Sequence, residues 1–318
     1  MDYLTATRQA LSNKGARDYP DVRDPRSRHG AVFPHHEPKF RIAFANRTSI
    51  FTLGSCFARN IEEALSERDV FLPATIFSVP KTEWAARPNG LLNEFNPGSI
   101  AQRIMFALAG CPFPDETIVP DGELTADLML LSCPAVPLER ARQRRGEIDA
   151  VYRHLLEADV IIITLGLVEA WFDEETKLFL NRMPPHAFAS KNPKRFSYKR
   201  MDVFDCMPFL EEAIAALAQR GIKIILTVSP VPLSTTFSAL DCTVANEFSK
   251  SVLRICAARL STEPLCDYFP SYEIVRSCGM QAYIDDQVHV KDELVREITA
   301  YMVSLYGSQV KAPIVSLR

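Results

Sequence analysis

The sequence predicts an α/β fold: a mostly parallel central sheet covered by helices on both faces. Three observations predict it. Residues 160–166 (VIIITLG) and 222–230 (IKIILTVSP) are continuous, β-branched apolar runs, as strands buried on both faces are. Stretches of helical periodicity alternate with them, which puts helices on the faces of the sheet. The strand-to-helix spacings are short enough for right-handed crossovers. Across the 318 residues, apolar types make up 47% and charged types 24%. That mixture supports a large buried core.

Taken in order, residues 2–13 form a helix with Asp2 as N-cap. Residues 14–40 are rich in Pro, Arg, Asp and His and bury little apolar surface, so residues 1–40 are expected to be an extended arm on a domain spanning 41–318. His35 and His36 lack a ligand cluster around them and are expected to be solvated. SIFTL (49–53) is a strand ending at Gly54, and FARNIEEALSER (57–68) a helix with Ile61, Ala64 and Leu65 on one face. Residues 73–98 are irregular. Residues 99–110 form a helix stopped by Gly110, and LTADLMLL (124–131) fits strand or helix.

Residues 138–159 form a basic helix. Its Arg140, Arg142, Arg144 and Arg145 lack interleaved aromatics and lie between Glu139 and Glu147, so a solvated face is expected there rather than a nucleic-acid site. Helices follow at 205–219, capped by Gly221, at 243–260 and at 291–307, with a short strand at 265–269. Residues 173–200 read as an insertion.

A net charge of -3 gives no global pull toward nucleic acid or anionic membrane. The first fifteen residues lack the features of a signal peptide, and no run approaches the ~20 apolar residues of a span. The expectation is a cytoplasmic protein with no membrane partner. Eight cysteines lie far apart, away from metal-ligand spacing, and are expected to be buried thiols. No metal or cofactor is expected, since neither GxGxxG after a strand nor GxxxxGK[ST] occurs.

Sites in open parallel sheets lie beyond the carboxyl ends of the strands, where LGSCF, TLGLVEAW and TVSPVP fall, with DDQVH close to the last helix. Gly54 allows a sharp turn. Ser55 then sits at the start of a helix, either as a simple cap or as a nucleophile facing free N–H groups. Cys56 beside it is expected to point away, into the core. Asp286 and His289 are three residues apart, so on a tight turn the carboxylate reaches the imidazole and fixes its tautomer. Two readings of Trp171 and Phe172 stand: they line an acyl or sugar pocket, or they pack in the core.

The run FTLGSCFARNI carries G-S-C-F-A intact at 54–58 and resembles the signature of the GSCFA family. Further matches are TLGLVEAW (164–171), LTVSPVPL (226–233), NEFSKSVLR (246–254), YFPSYEIV (268–275) and DDQVHV (285–290), together covering about Phe40 to Tyr306. This resemblance implies a branch of the SGNH/GDSL hydrolases, hence a flavodoxin-like three-layer α/β/α fold. It implies Ser55 as nucleophile, His289 as general base and Asp286 as the orienting acid. For the oxyanion hole and substrate site it implies Gly54, Asn93 (or Asn96) and Gly166, with the Ser55 N–H as a donor. The usual third-block Asn is absent, and Glu169 stands near its place. The expected function is a serine esterase or O-acyltransferase acting on a small-molecule or carbohydrate ester. The alternative is a glycan- or protein-binding module without catalysis.

Overall fold

The structure is a computed structural model, and it describes residues 1–13, 15–45 and 47–307. Five strands, β1 (Thr48–Gly54), β2 (Val70–Phe71), β3 (Val160–Leu165), β4 (Lys223–Val228) and β5 (Cys266–Tyr268), form one parallel sheet in the order β2-β1-β3-β4-β5. This is the flavodoxin-like order, which reverses direction between β1 and β3. The helices that cover it are α1 (Cys56–Leu65), α2 (Pro97–Ala109), α3 (Leu138–Tyr152), α4 (Val203–Ala218), α5 (Cys242–Leu260), α6 (Ser271–Cys278) and α7 (Asp292–Tyr306).

Strand periodicity makes the three layers. Successive side chains point to opposite faces, and the cores divide accordingly. Phe51, Leu53, Ile161, Ile163, Ile224 and Leu226 join the core under α2, α3, α4 and α5. Ile50, Val160, Ile162 and Ile225 join the core under α1, α6 and α7. Every residue of β3 is buried, which explains its unbroken apolar sequence.

The basic helix departs from expectation. It runs over Leu138–Tyr152 and gives way to a 3-10 turn over Arg153–Glu157. Its arginines are not a solvated face: Arg144 and Arg145 are buried. Arg145 forks onto Asp127 and also reaches Thr117, Arg140 pairs with Glu83 and Glu147, Arg142 with Asp115, and Arg144 with Glu83. Apart from Glu147, the carboxylates that neutralise this helix come from distant segments. Residues 124–131 settle as a strand over Leu124–Asp127, paired with Ile118–Asp121. The insertion after β3 is a three-stranded antiparallel sheet of Glu169–Asp173, Leu178–Leu180 and Phe196–Arg200.

The arm follows the surface beside α6 and α7 and buries Ala31 and Phe33. His36 is not solvated: its Nε2 lies 3.0 Å from Asp267 Oδ2 and 3.2 Å from the Tyr306 hydroxyl. The arm is thereby anchored to β5 and α7, while His35 is exposed as expected. No helix among the described residues is long and apolar enough to cross a membrane.

Candidate active site

The site lies beyond the carboxyl ends of β1 and β3, where the strand order reverses. Gly54 ends β1 at φ +124°, a backbone few L side chains adopt, and a Cβ there would overlap the Thr164 carbonyl. The chain can therefore turn into α1 while still paired with β3. Ser55 takes extended backbone as the N-cap of α1, and its Oγ accepts the Phe57 N–H at 3.4 Å. That cap is long, so the hydroxyl is weakly held, and it has no other hydrogen-bond partner among the described residues.

Beneath Ser55, a buried polar cluster fixes α1 to β1. Arg59 pairs with Glu62 at 2.7 Å and reaches the Thr52 carbonyl and hydroxyl. The Thr52 hydroxyl donates to Glu62 at 2.5 Å, and the Asn89 side chain donates to the other Glu62 oxygen. Nearly every polar atom is satisfied, as burial of an ion pair demands.

Asp286 and His289 meet as their spacing predicts. Gln287 between them takes a left-handed φ of +56°, closing a turn in which Asp286 Oδ1 accepts the N–H groups of Val288 and His289, each at 2.9 Å. The other oxygen, Oδ2, lies 2.5 Å from His289 Nδ1. The hydrogen bond from the imidazole, followed by the two backbone amides, lowers the Asp286 carboxyl from 3.8 to about 2. A carboxylate ionised at neutral pH can only accept, so it selects the tautomer of the neutral ring in which Nδ1 carries the proton and Nε2 the lone pair.

Ser55, Asn93, Gly166 and His289 line one cavity of about 380 Å³. Ser55 is buried, whereas His289 stands at its rim with 61% of its side chain exposed, and no hydrogen bond joins the two. Catalytic hydrogen bonds commonly tighten only once substrate is bound. Of the two asparagines, Asn93 lines the cavity, and its buried side-chain oxygen has no hydrogen-bond partner among the described residues. Asn96 is occupied as the N-cap of α2, accepting the Ser99 N–H at 2.8 Å.

Two expected backbone donors are already engaged. The Ser55 N–H bonds to the Thr164 carbonyl at 3.1 Å and the Gly166 N–H to the Phe95 carbonyl at 3.1 Å. Gly166 serves by its size, because a Cβ would press on the Phe95 carbonyl at 2.7 Å. The Cys56 amide, first in α1, has no intrahelical acceptor and remains a donor. Glu169 is turned away from Ser55. Its carboxylate accepts the Thr236 hydroxyl at 2.6 Å and the Phe237 N–H at 2.9 Å in an adjoining pocket of about 130 Å³, beside Trp171 and Tyr198. Phe172 packs against the main core.

Cys56 is not in the core but lines the cavity. Burial pushes its thiol up, with Lys250 opposing, and a raised thiol is a poor nucleophile at neutral pH. Lys250 was not singled out in the sequence. It is buried on α5, and its Nζ donates to the carbonyls of Gly166 at 2.6 Å and Val231 at 2.7 Å. The available signal was a lysine on the apolar face of an amphipathic helix, among Ala245, Ser249, Leu253 and Cys256.

The family model described as "GSCFA family" matches residues 49–301, from β1 into α7. No curated protein and no solved structure matches the chain.

Proposed function

The chain belongs to the GSCFA family, and on that premise we propose that it is a serine-dependent esterase or O-acyltransferase of the SGNH hydrolase type. Its substrate is a small-molecule or carbohydrate ester. The observation that carries this reading is that one cavity is lined both by Ser55, at a helix N-terminus, and by a histidine already oriented by a carboxylate.

In this mechanism Ser55 Oγ attacks the acyl carbon while its proton passes to His289 Nε2, and Asp286 stabilises the imidazolium. The negative charge on the acyl oxygen meets the Cys56 amide, the Asn93 side chain and the positive end of the α1 dipole. Collapse expels the alcohol, which takes the proton from His289 and leaves acyl-Ser55. Water then releases the acid, or a sugar hydroxyl accepts the acyl group, with His289 as base in either case.

The missing hydrogen bond between Ser55 and His289 favours the alternative, a binding module without turnover, as do the engaged Ser55 and Gly166 amides and the absent third-block Asn. Steady-state hydrolysis of short-chain aryl esters separates the two. The esterase reading expects Ser55→Ala and His289→Ala each to lower kcat by about a thousandfold or more. Equal rates in wild type and Ser55→Ala would sink it.

A further inference from the structure

The cavity wall carries a buried amine with no carboxylate opposite it. Lys250 is 2% exposed, and its only partners among the described residues are the two carbonyls of Gly166 and Val231. An ammonium has three protons, so one remains for the cavity. Cys56, His289 and the start of α1 share that cavity, and no aspartate or glutamate is among the described residues lining it. Burying a cation without a counter-charge is costly, and proteins ordinarily supply a carboxylate within reach. Here the nearby titratable groups that favour the charged amine are Cys56 and Glu247, and desolvation outweighs them, lowering Lys250 to about 7.

We propose that the missing counter-charge is brought by the ligand: the cavity binds a substrate bearing an oxyanionic group, a carboxylate or phosphate, which Lys250 neutralises. This rests on the esterase reading and names a feature of its substrate. The two backbone carbonyls hold the amine at the junction of the loops that follow β3 and β4. An anion there completes its coordination and also gains from the α1 N-terminus. A neutral ester of the same size leaves the lysine unpaired.

Calorimetric titration of the wild-type chain with succinate, with inorganic phosphate and with uncharged succinamide tests this. Either anion is expected to bind about tenfold or more tightly than succinamide, and the tighter of the two identifies the group recognised. Lys250→Met should abolish the preference and Lys250→Arg should retain it. Equal binding of anion and diamide by the wild type, or an undiminished preference in Lys250→Met, would overturn the proposal. If Lys250→Met does not fold, protection of the Cys56 thiol from alkylation decides: anions that protect it occupy this cavity, and anions that do not contradict the proposal. None of these readouts depends on Ser55. A chain that binds the anion but turns over no ester keeps this inference and loses the esterase reading, and the reverse result does the opposite.

Discussion

At the scale of single residues, Gly54 is the position on which the site geometry most depends. It satisfies two independent demands, a positive φ and a close approach to the Thr164 backbone. Gly54→Ala is expected to cost about 3 kcal/mol or more, read as a lower urea midpoint, because the atoms in the way are the Thr164 backbone, not the free end of a flexible side chain. Asp286 makes the opposite kind of contribution. It is exposed, so Asp286→Asn should lower the thermal midpoint only slightly while lowering kcat/KM by about a hundredfold or more, through loss of the correct imidazole tautomer. Its folded value lies below the unfolded 3.8, so its contribution is complete above that pH and is lost as pH falls toward 2. The His289 orientation therefore persists through the neutral range.

Lys250 gives the same direction of pH dependence in a higher window, here because burial penalises its charged form. Its folded value of about 7 lies below the ordinary 10.5, so the folded state holds fewer protons than the unfolded chain above pH 7. Wild-type stability should rise between pH 7 and 9 relative to Lys250→Met. Above that range, the raised Cys56 thiol works in the opposite direction. Denaturant melts of both chains at the two pH values check this.

At the scale of elements, α1 is aimed by what lies beneath it. Glu62→Ala removes the acceptor shared by Arg59, Thr52 and Asn89 and strands a buried guanidinium, which is expected to cost about 3–5 kcal/mol in chemical denaturation. How far the sequence revealed these elements follows from how local their signals are. The strands β3 and β4, the Ser55 cap and the Asp286–His289 turn are set by neighbours within a few residues, and all were legible. The α3 arginines were misread because Glu83, Asp115 and Asp127 lie far away in the chain and come together only in the fold. Asn93 and Asn96 were not separable either. The difference is that Asn96 spends its side chain on the first turn of α2. Cys56 was expected in the core because adjacent side chains usually diverge, yet at a helix start both it and Ser55 border the cavity.

At the scale of the whole molecule, the strand order explains why the site is where it is. Reversal between β1 and β3 opens a crevice at their carboxyl ends, and the two segments that enter it carry Ser55 and Gly166. None of the arm's described residues lines the cavity, and the arm is tied down by His36 to Asp267 and Tyr306. His36→Ala should lower the thermal midpoint, since Asp267 is buried and loses a donor, while leaving ester turnover at the wild-type rate.

The esterase reading stands or falls on Ser55 as a nucleophile activated by His289. The measurement that tests it most directly is tandem mass spectrometry of the chain after reaction with a fluorophosphonate, because the fragments distinguish Ser55 from the adjacent Cys56. The esterase reading predicts a phosphonyl adduct on Ser55 that is absent from Ser55→Ala and strongly slowed in His289→Ala. An adduct on Cys56, or one that forms at an undiminished rate without His289, would contradict it.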